Sequence, residues 1–186
     1  MNGQQKIHRL IFQLLLGVFL IVGLASVAAG ASVSVIATDS DAGEPGNNGE
    51  FTVTISPPVP VATLVNYSVT GVGAVNGSDY VALSNSVTVP VGGTVAIPLT
   101  VLDDSIVEGN ESVMVTLAST DNPSVNISAL FASDTVAISD DDSATVSIAA
   151  TDGAADEAGD PGLFTVTLTN PASVDTIVNY SVAGTA

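Results

Sequence analysis

The chain is 186 residues long and carries 19 Asp and Glu against two Lys or Arg and one His, for a formal net charge of −17, with no cysteine. That balance excludes nucleic acid as a partner, because a phosphate backbone is bound through Lys and Arg, and excludes an anionic membrane surface for the same reason. No disulfide can staple the fold, and aromatic residues at 4% offer no platform for stacking sugars or bases.

In chain order, Lys6, His8 and Arg9 precede an apolar run from Leu10 to about Ala25, and small residues follow, ending in Ala29-Gly30-Ala31. A positive start, an apolar middle and an Ala-x-Ala end predict a secretory signal peptide over residues 1–31, cleaved after Ala31. Left uncleaved, the apolar stretch of about 20 residues is long enough to anchor the chain in a membrane. Either way residues 32–186 leave the cytoplasm, so the expected location is secreted or cell surface.

The remainder reads as strands. Val33–Ala37 opens the series, and Phe51, Val53 and Ile55 then alternate with Thr52 and Thr54, the period of two that marks a half-buried strand. Leu64–Val69 follows, and the same alternation returns at Val87 and Val89, at Val95 to Val101, at Val113 to Leu117, and at Val136 and Ile138. Gly46-Asn47-Asn48-Gly49, Asn76-Gly77, Gly92-Gly93 and Gly109-Asn110 separate these runs as turns. Seven short strands without a helical period predict an all-β domain over residues 32–142, an immunoglobulin-like antiparallel β-sandwich. Pro98 cannot donate to a ladder, which puts its strand at a sheet edge.

Residues 37–71 recur at residues 150–184 with a constant offset of 113 and no gaps. Phe51-Thr52-Val53-Thr54 matches Phe164-Thr165-Val166-Thr167, and Val65-Asn66-Tyr67-Ser68-Val69 matches Val178-Asn179-Tyr180-Ser181-Val182. The period is that of a whole domain rather than a solenoid unit. Residues 143–186 are therefore a truncated second copy holding the first two to three strands, and the record reads as a fragment of a longer frame.

Beyond residue 31 the chain has no Lys, Arg, His or Cys, so carboxylates brought together by folding must meet cations from solvent. The acids of the first copy gather at predicted strand ends: Glu44, Asp79 in Gly77-Ser78-Asp79-Tyr80, Asp103, Asp104, Glu108 and Glu111 in VLDDSIVEGNE, and Asp140-Asp141-Asp142. Strand ends from distant positions converge at one tip of a sandwich. A hard divalent cation is the expected counter-charge and Ca2+ its identity, since calcium takes about six to eight oxygens from carboxylates, carbonyls and water. Asp39, Asp41 and Glu50 mimic an EF-hand spacing, but Glu44 stands where that loop needs Gly and strands flank it.

The combination of Gly-Ser-Asp-Tyr, a strand ending in Asp-Asp before Val-Glu-Gly-Asn-Glu, and a terminal Asp-Asp-Asp resembles the Calx-beta domain. This repeat occurs in sodium/calcium exchangers, an integrin beta subunit and many bacterial surface proteins. The resemblance covers residues 32–142 and the opening of the second copy. It implies calcium ligands at Glu44, Asp79, Asp103, Asp104, Glu108, Glu111, Asp140, Asp141 and Asp142, every one an acid here. Glu111 lies at the flank of this set, and alternation along the last strand sets Asp140 apart from its neighbours. In the second copy only Glu157 matches, at the place of Glu44.

Without His, Cys, Lys or Arg the mature chain lacks the usual base, thiolate or cationic oxyanion stabiliser, so no enzyme is expected. The expectation is an extracellular calcium-binding sandwich repeat with a structural, adhesive or cell-communication role. Its partners are calcium ions, neighbouring repeats of the same chain and a cell-surface or matrix partner of unknown identity. The alternatives are a calcium-sensing module attached to a membrane protein and an ion-free spacer.

Overall fold

The computed structural model describes residues 30–184. The signal peptide read over residues 1–31 lies almost wholly outside the described residues; Ala31 already begins the first strand, buried and aligned with Val125.

Nine strands form the first copy: β1 (Ala31–Asp39), β2 (Asp41–Gly43), β3 (Gly49–Ser56), β4 (Thr63–Val72), β5 (Ser86–Val89), β6 (Thr94–Leu99), β7 (Glu111–Thr120), β8 (Val125–Ile127) and β9 (Ser133–Ser139). They make two layers, one ordered β6-β3-β1-β8 and the other β2-β9-β7-β4-β5. Alternation decides the faces: Val33, Val35, Phe51, Val53 and Ile55 point inward from the first layer, and Val65, Val113, Val115 and Val136 from the second, all essentially inaccessible to solvent. Each such side chain removed from water is worth about 1.5–3 kcal/mol. Pro98 lies in β6, an edge strand, where its missing N–H faces no neighbour.

The seven strands expected from alternation are present, and the two additional ones, β2 and β8, are three residues each, too short to show a period. Both pair in parallel, β1 with β8 and β2 with β9, so the sandwich is not purely antiparallel. For β2 the cause is a change of layer. The β1–β3 register breaks between Ala37 and Asp39, the chain bends at Ser40, and β2 joins the opposite layer beside β9. Gly43 permits this approach, because a Cβ there would collide with the Ser139 hydroxyl. The crossing carries Glu44 to the end of β9.

The second copy repeats the first in detail over its opening hairpin. In it, β10 (Val146–Asp152) pairs with β11 (Leu163–Leu168) in the register Val146↔Leu168, the equivalent of Val33↔Ile55. The register breaks at the same place, between Ala150 and Asp152, and the Thr151–Thr165 hydroxyl contact of 2.9 Å reproduces that of Thr38 with Thr52. Residues 176–184, the counterpart of Thr63–Gly71 in β4, pair with no strand among the described residues.

Candidate metal centre

Four chain segments meet at one tip of the first sandwich, and backbone hydrogen bonds tie them together. Glu44 leaves β2 in a turn closed by reciprocal Gly43–Asn47 hydrogen bonds of 2.8 Å, and its own N–H donates to Ser139 O at 3.0 Å. Asp79 sits in the loop after β4, buried, with its carboxylate accepting from the Val75 N–H. The next residue, Tyr80, is buried too and bridges to Val101, while the Leu102 N–H donates to Asp79 O at 2.9 Å. Asn48 Oδ1 holds the Val101 N–H at 2.9 Å. The aromatic anchor and the Asn48 clamp therefore deliver Asp103 and Asp104 beside Glu44 and Asp79. Sequence gives neither Asn48 nor Tyr80 a role of its own, although Tyr80 closes the Gly-Ser-Asp-Tyr motif and Asn48 lies in the turn after Glu44; a buried-type aromatic directly after a tip acid is the available signal.

The carboxylates form three groups within which one oxygen from each residue lies within 4.8 Å of the others: Glu44–Asp103–Asp141, Glu44–Asp104–Asp142, and Asp79–Glu108–Glu111. The first two share Glu44, the geometry of a bridging carboxylate. Glu111 is a full member of the third group rather than a flanking residue. At Gly73 the positive φ of 78° keeps a side chain away from it, since a Cβ would lie 3.0 Å from Glu111 Oε1. Asp140 joins none of the three groups. Its Oδ2 accepts the Glu108 N–H at 2.9 Å and its Oδ1 the Asp142 N–H at 3.0 Å, so it positions the neighbouring acids. Asp104 likewise spends Oδ1 on the Ile106 N–H at 2.7 Å.

No basic side chain exists in the described residues to balance these groups. A pair of carboxylates 4.8 Å apart repels by about 0.9 kcal/mol in water and about 3.5 kcal/mol at an effective dielectric near 20. The titration behaviour reflects that strain. Burial, reinforced by Asp79, Glu108 and Glu44 and by a hydrogen bond with Asp79, pushes Glu111 up to about 7. Burial raises Glu108 as well, helped by Asp79, Asp104 and Asp140. Glu44 is raised by burial and by the surrounding aspartates, against the opposing effect of the Asp104 N–H. Asp142 is raised by desolvation and by Asp140 and Asp141.

Two oxygens, Glu44 Oε2 and Asp142 Oδ2, are shut off from solvent and lack a hydrogen-bond partner among the described residues. Such orphans normally cost about 1–3 kcal/mol each, more for charged groups. Both belong to the Glu44–Asp104–Asp142 group. All-oxygen, carboxylate-rich and partly buried, this donor set fits a hard cation. The second copy has Glu157 at the place of Glu44, exposed, and no comparable group forms around it among the described residues.

The tip is also where the copies touch. Val107, between Asp104 and Glu108, donates its N–H to Pro171 O at 2.9 Å and accepts the Ser173 N–H at 3.1 Å.

Comparison with solved structures shows similarity to the apo-form Calx CBD1 domain, with 20% identity and a TM-score of 0.50 over 61% of this chain and 100% of that one. The chain is also similar to CBD12 from CALX1.2, with 21% identity and a TM-score of 0.48 over 58% of this chain and 45% of that one. For the Calx CBD2 domain the values are 14% and 0.47, over 59% and 86%. No curated protein matches the chain. The Calx-beta domain family matches residues 31–142, more than half of the sequence and the whole of the first sandwich. The chain belongs to the Calx-beta domain family.

Proposed function

We propose that residues 31–142 bind calcium at the acidic tip, and that the chain serves outside the cytoplasm as a metal-stiffened structural or adhesive repeat. One observation carries the reading: eight carboxylates in three mutually close groups, two of their oxygens buried without a partner, in a segment devoid of basic side chains. Glu44, Asp103, Asp104, Asp141 and Asp142 would hold ions in the shared pair of groups, and Asp79, Glu108 and Glu111 a further one. Bound calcium supplies positive charge and oxygen coordination; the protein supplies a pre-assembled set of ligands. Asp140 keeps the 103–111 loop against the end of β9.

Favouring a structural role over an isolated binding module is the backbone contact between Val107 and Pro171–Ser173. A loop stiffened by ions on both sides of Val107 presents a fixed edge to the following repeat. The leader read over residues 1–31 supports the extracellular placement, where calcium near millimolar would fill about half to nine-tenths of sites of the weak, extracellular class, with dissociation constants of about 0.1–1 mM. A sensor attached to a membrane protein, or an ion-free spacer, would differ in measurable ways.

Calorimetric titration of the whole chain with calcium after chelator treatment tests this. The expected result is saturable binding together with a rise in the melting temperature of the first sandwich, since ligand at a hundred times its dissociation constant adds about 2.7 kcal/mol per site. Absence of both heat and stabilisation at 10 mM calcium leaves the ion-free spacer.

A further inference from the structure

The backbone contact between the copies rests on donors that the two copies do not share. On the first sandwich a single residue makes it. The Ile106 N–H is held by Asp104 Oδ1 and the Glu108 N–H by Asp140 Oδ2, so of these three amides only that of Val107 is left for another segment. Val107 gives its N–H to Pro171 O and takes the Ser173 N–H on its own carbonyl, a parallel bridge centred on Ala172. A third bond pins the same loop, since Asn170 Nδ2 donates at 3.0 Å to Ser143 O, directly after Asp142. Ala172 is half-buried there, between exposed Pro171 and Ser173.

The first copy has its own loop at this place in the hairpin, after β3. The offset of 113 sets Asn170-Pro171-Ala172-Ser173 against Pro57-Pro58-Val59-Pro60. Pro171 and Pro58 agree, and either can offer its carbonyl. The donors do not agree. Pro57 stands where Asn170 supplies a side-chain amide, and Pro60 stands where Ser173 supplies an N–H that proline lacks. Against a residue such as Val107, the loop at 57–60 can accept one hydrogen bond and return none.

We propose that Asn170 and Ser173 are the specificity determinants of a directional junction, seating the second copy on the Ile106–Glu108 loop of the first, and that Pro57 and Pro60 close the first copy's loop to the same seat. The partner this seat fits is a sandwich tip that offers one residue's N–H and C=O together. Such a contact has a different surface on each side. If every copy could serve at both ends, separate chains could add head to tail without closing. The two prolines withhold one of those ends, an unpaired carbonyl being the cost of the wrong match. The inference rests on backbone donors and acceptors alone, so it is independent of calcium binding.

Amide exchange at Val107 in the full chain, measured in chelator, tests it. Ser173→Ala keeps the N–H and should leave that exchange within about twofold of the unaltered rate, whereas Ser173→Pro should speed it by at least about threefold. Asn170→Pro, Ala172→Val and Ser173→Pro together give the second copy the loop of the first. This triple variant should speed exchange by at least about fivefold, and residual dipolar couplings in β10 and β11 should shrink as the hairpin loses its fixed orientation. The unfolding transition of residues 31–142 should not move in any of the three. Equal exchange in Ser173→Ala and Ser173→Pro overturns the proposal, as does a triple variant that keeps the protection at Val107.

Discussion

Phe51 and Phe164 occupy equivalent places in the same hairpin, yet the first is fully buried and the second 70% exposed. Their hairpins agree in register, in the position of the bulge and in the Thr–Thr contact between strands. Glu44 and Glu157 make a second such pair, since both sit in the same closed turn, bridged by Gly43 with Asn47 and by Asp156 with Asp160. Glu44 is surrounded by aspartates from two other segments, and Glu157 by none in the described groups. Local sequence therefore suffices for the hairpin and the turn. Burial and charge clustering arrive only with strands from far along the chain.

The sharpest way to break this comparison is to truncate both phenylalanines. Phe51→Ala is expected to cost the first sandwich about 3–5 kcal/mol in urea unfolding, because it empties the centre of a packed core. Phe164→Ala is expected to change stability by no more than about 0.5 kcal/mol at dilute protein concentration. Equal losses would mean that the second copy has a closed core in solution.

The two glutamates give the next largest contrast. Glu44→Gln removes the ligand common to two of the groups, so most of the calcium-induced rise in melting temperature should vanish, a loss of about 2.7 kcal/mol per site at saturation. Glu157→Gln should leave that rise intact, read in the same differential scanning experiment.

A gentler handle is pH, which only the first copy should feel in this way. Glu111 lies at about 7 in the fold against an ordinary 4.5. Between those values the ion-free native state keeps a proton that the unfolded chain has released, so stability in chelator falls as pH rises through this window and levels off above it. Calcium must displace that proton, so its affinity rises over the same interval. Glu111→Gln should flatten both curves. A native stability that instead climbs from pH 5 to pH 7 in chelator contradicts the crowding of Asp79, Glu108 and Glu111.

The smallest effect belongs to the contact between the copies. Ser173→Pro removes the N–H that donates to Val107 O, a bond worth about 0.5–1.5 kcal/mol at most. Amide exchange at Val107 should quicken, and calcium should restore less of the protection than it does in the unaltered chain.

Residue pattern alone determined the class of fold, the duplication and the inventory of acids. Alternation of Val, Ile and Phe with Thr and Ser specifies which face of each strand is wet, and an offset without gaps makes the duplication visible. The edge position of Pro98 followed equally directly from its missing donor. Tertiary structure alone decided three other things. The change of layer at Ser40 depends on the parallel contacts between β2 and β9, which are nearly a hundred residues apart in sequence. The division of labour among the acids depends on side-chain direction, which sets Glu111 inside a group and turns Asp140 onto the Glu108 and Asp142 amides. Which of two near-identical hairpins is buried depends on partner strands that lie outside the repeated segment. Period-two patterns encode a preference for burial, whereas long-range pairing supplies the surface that satisfies it.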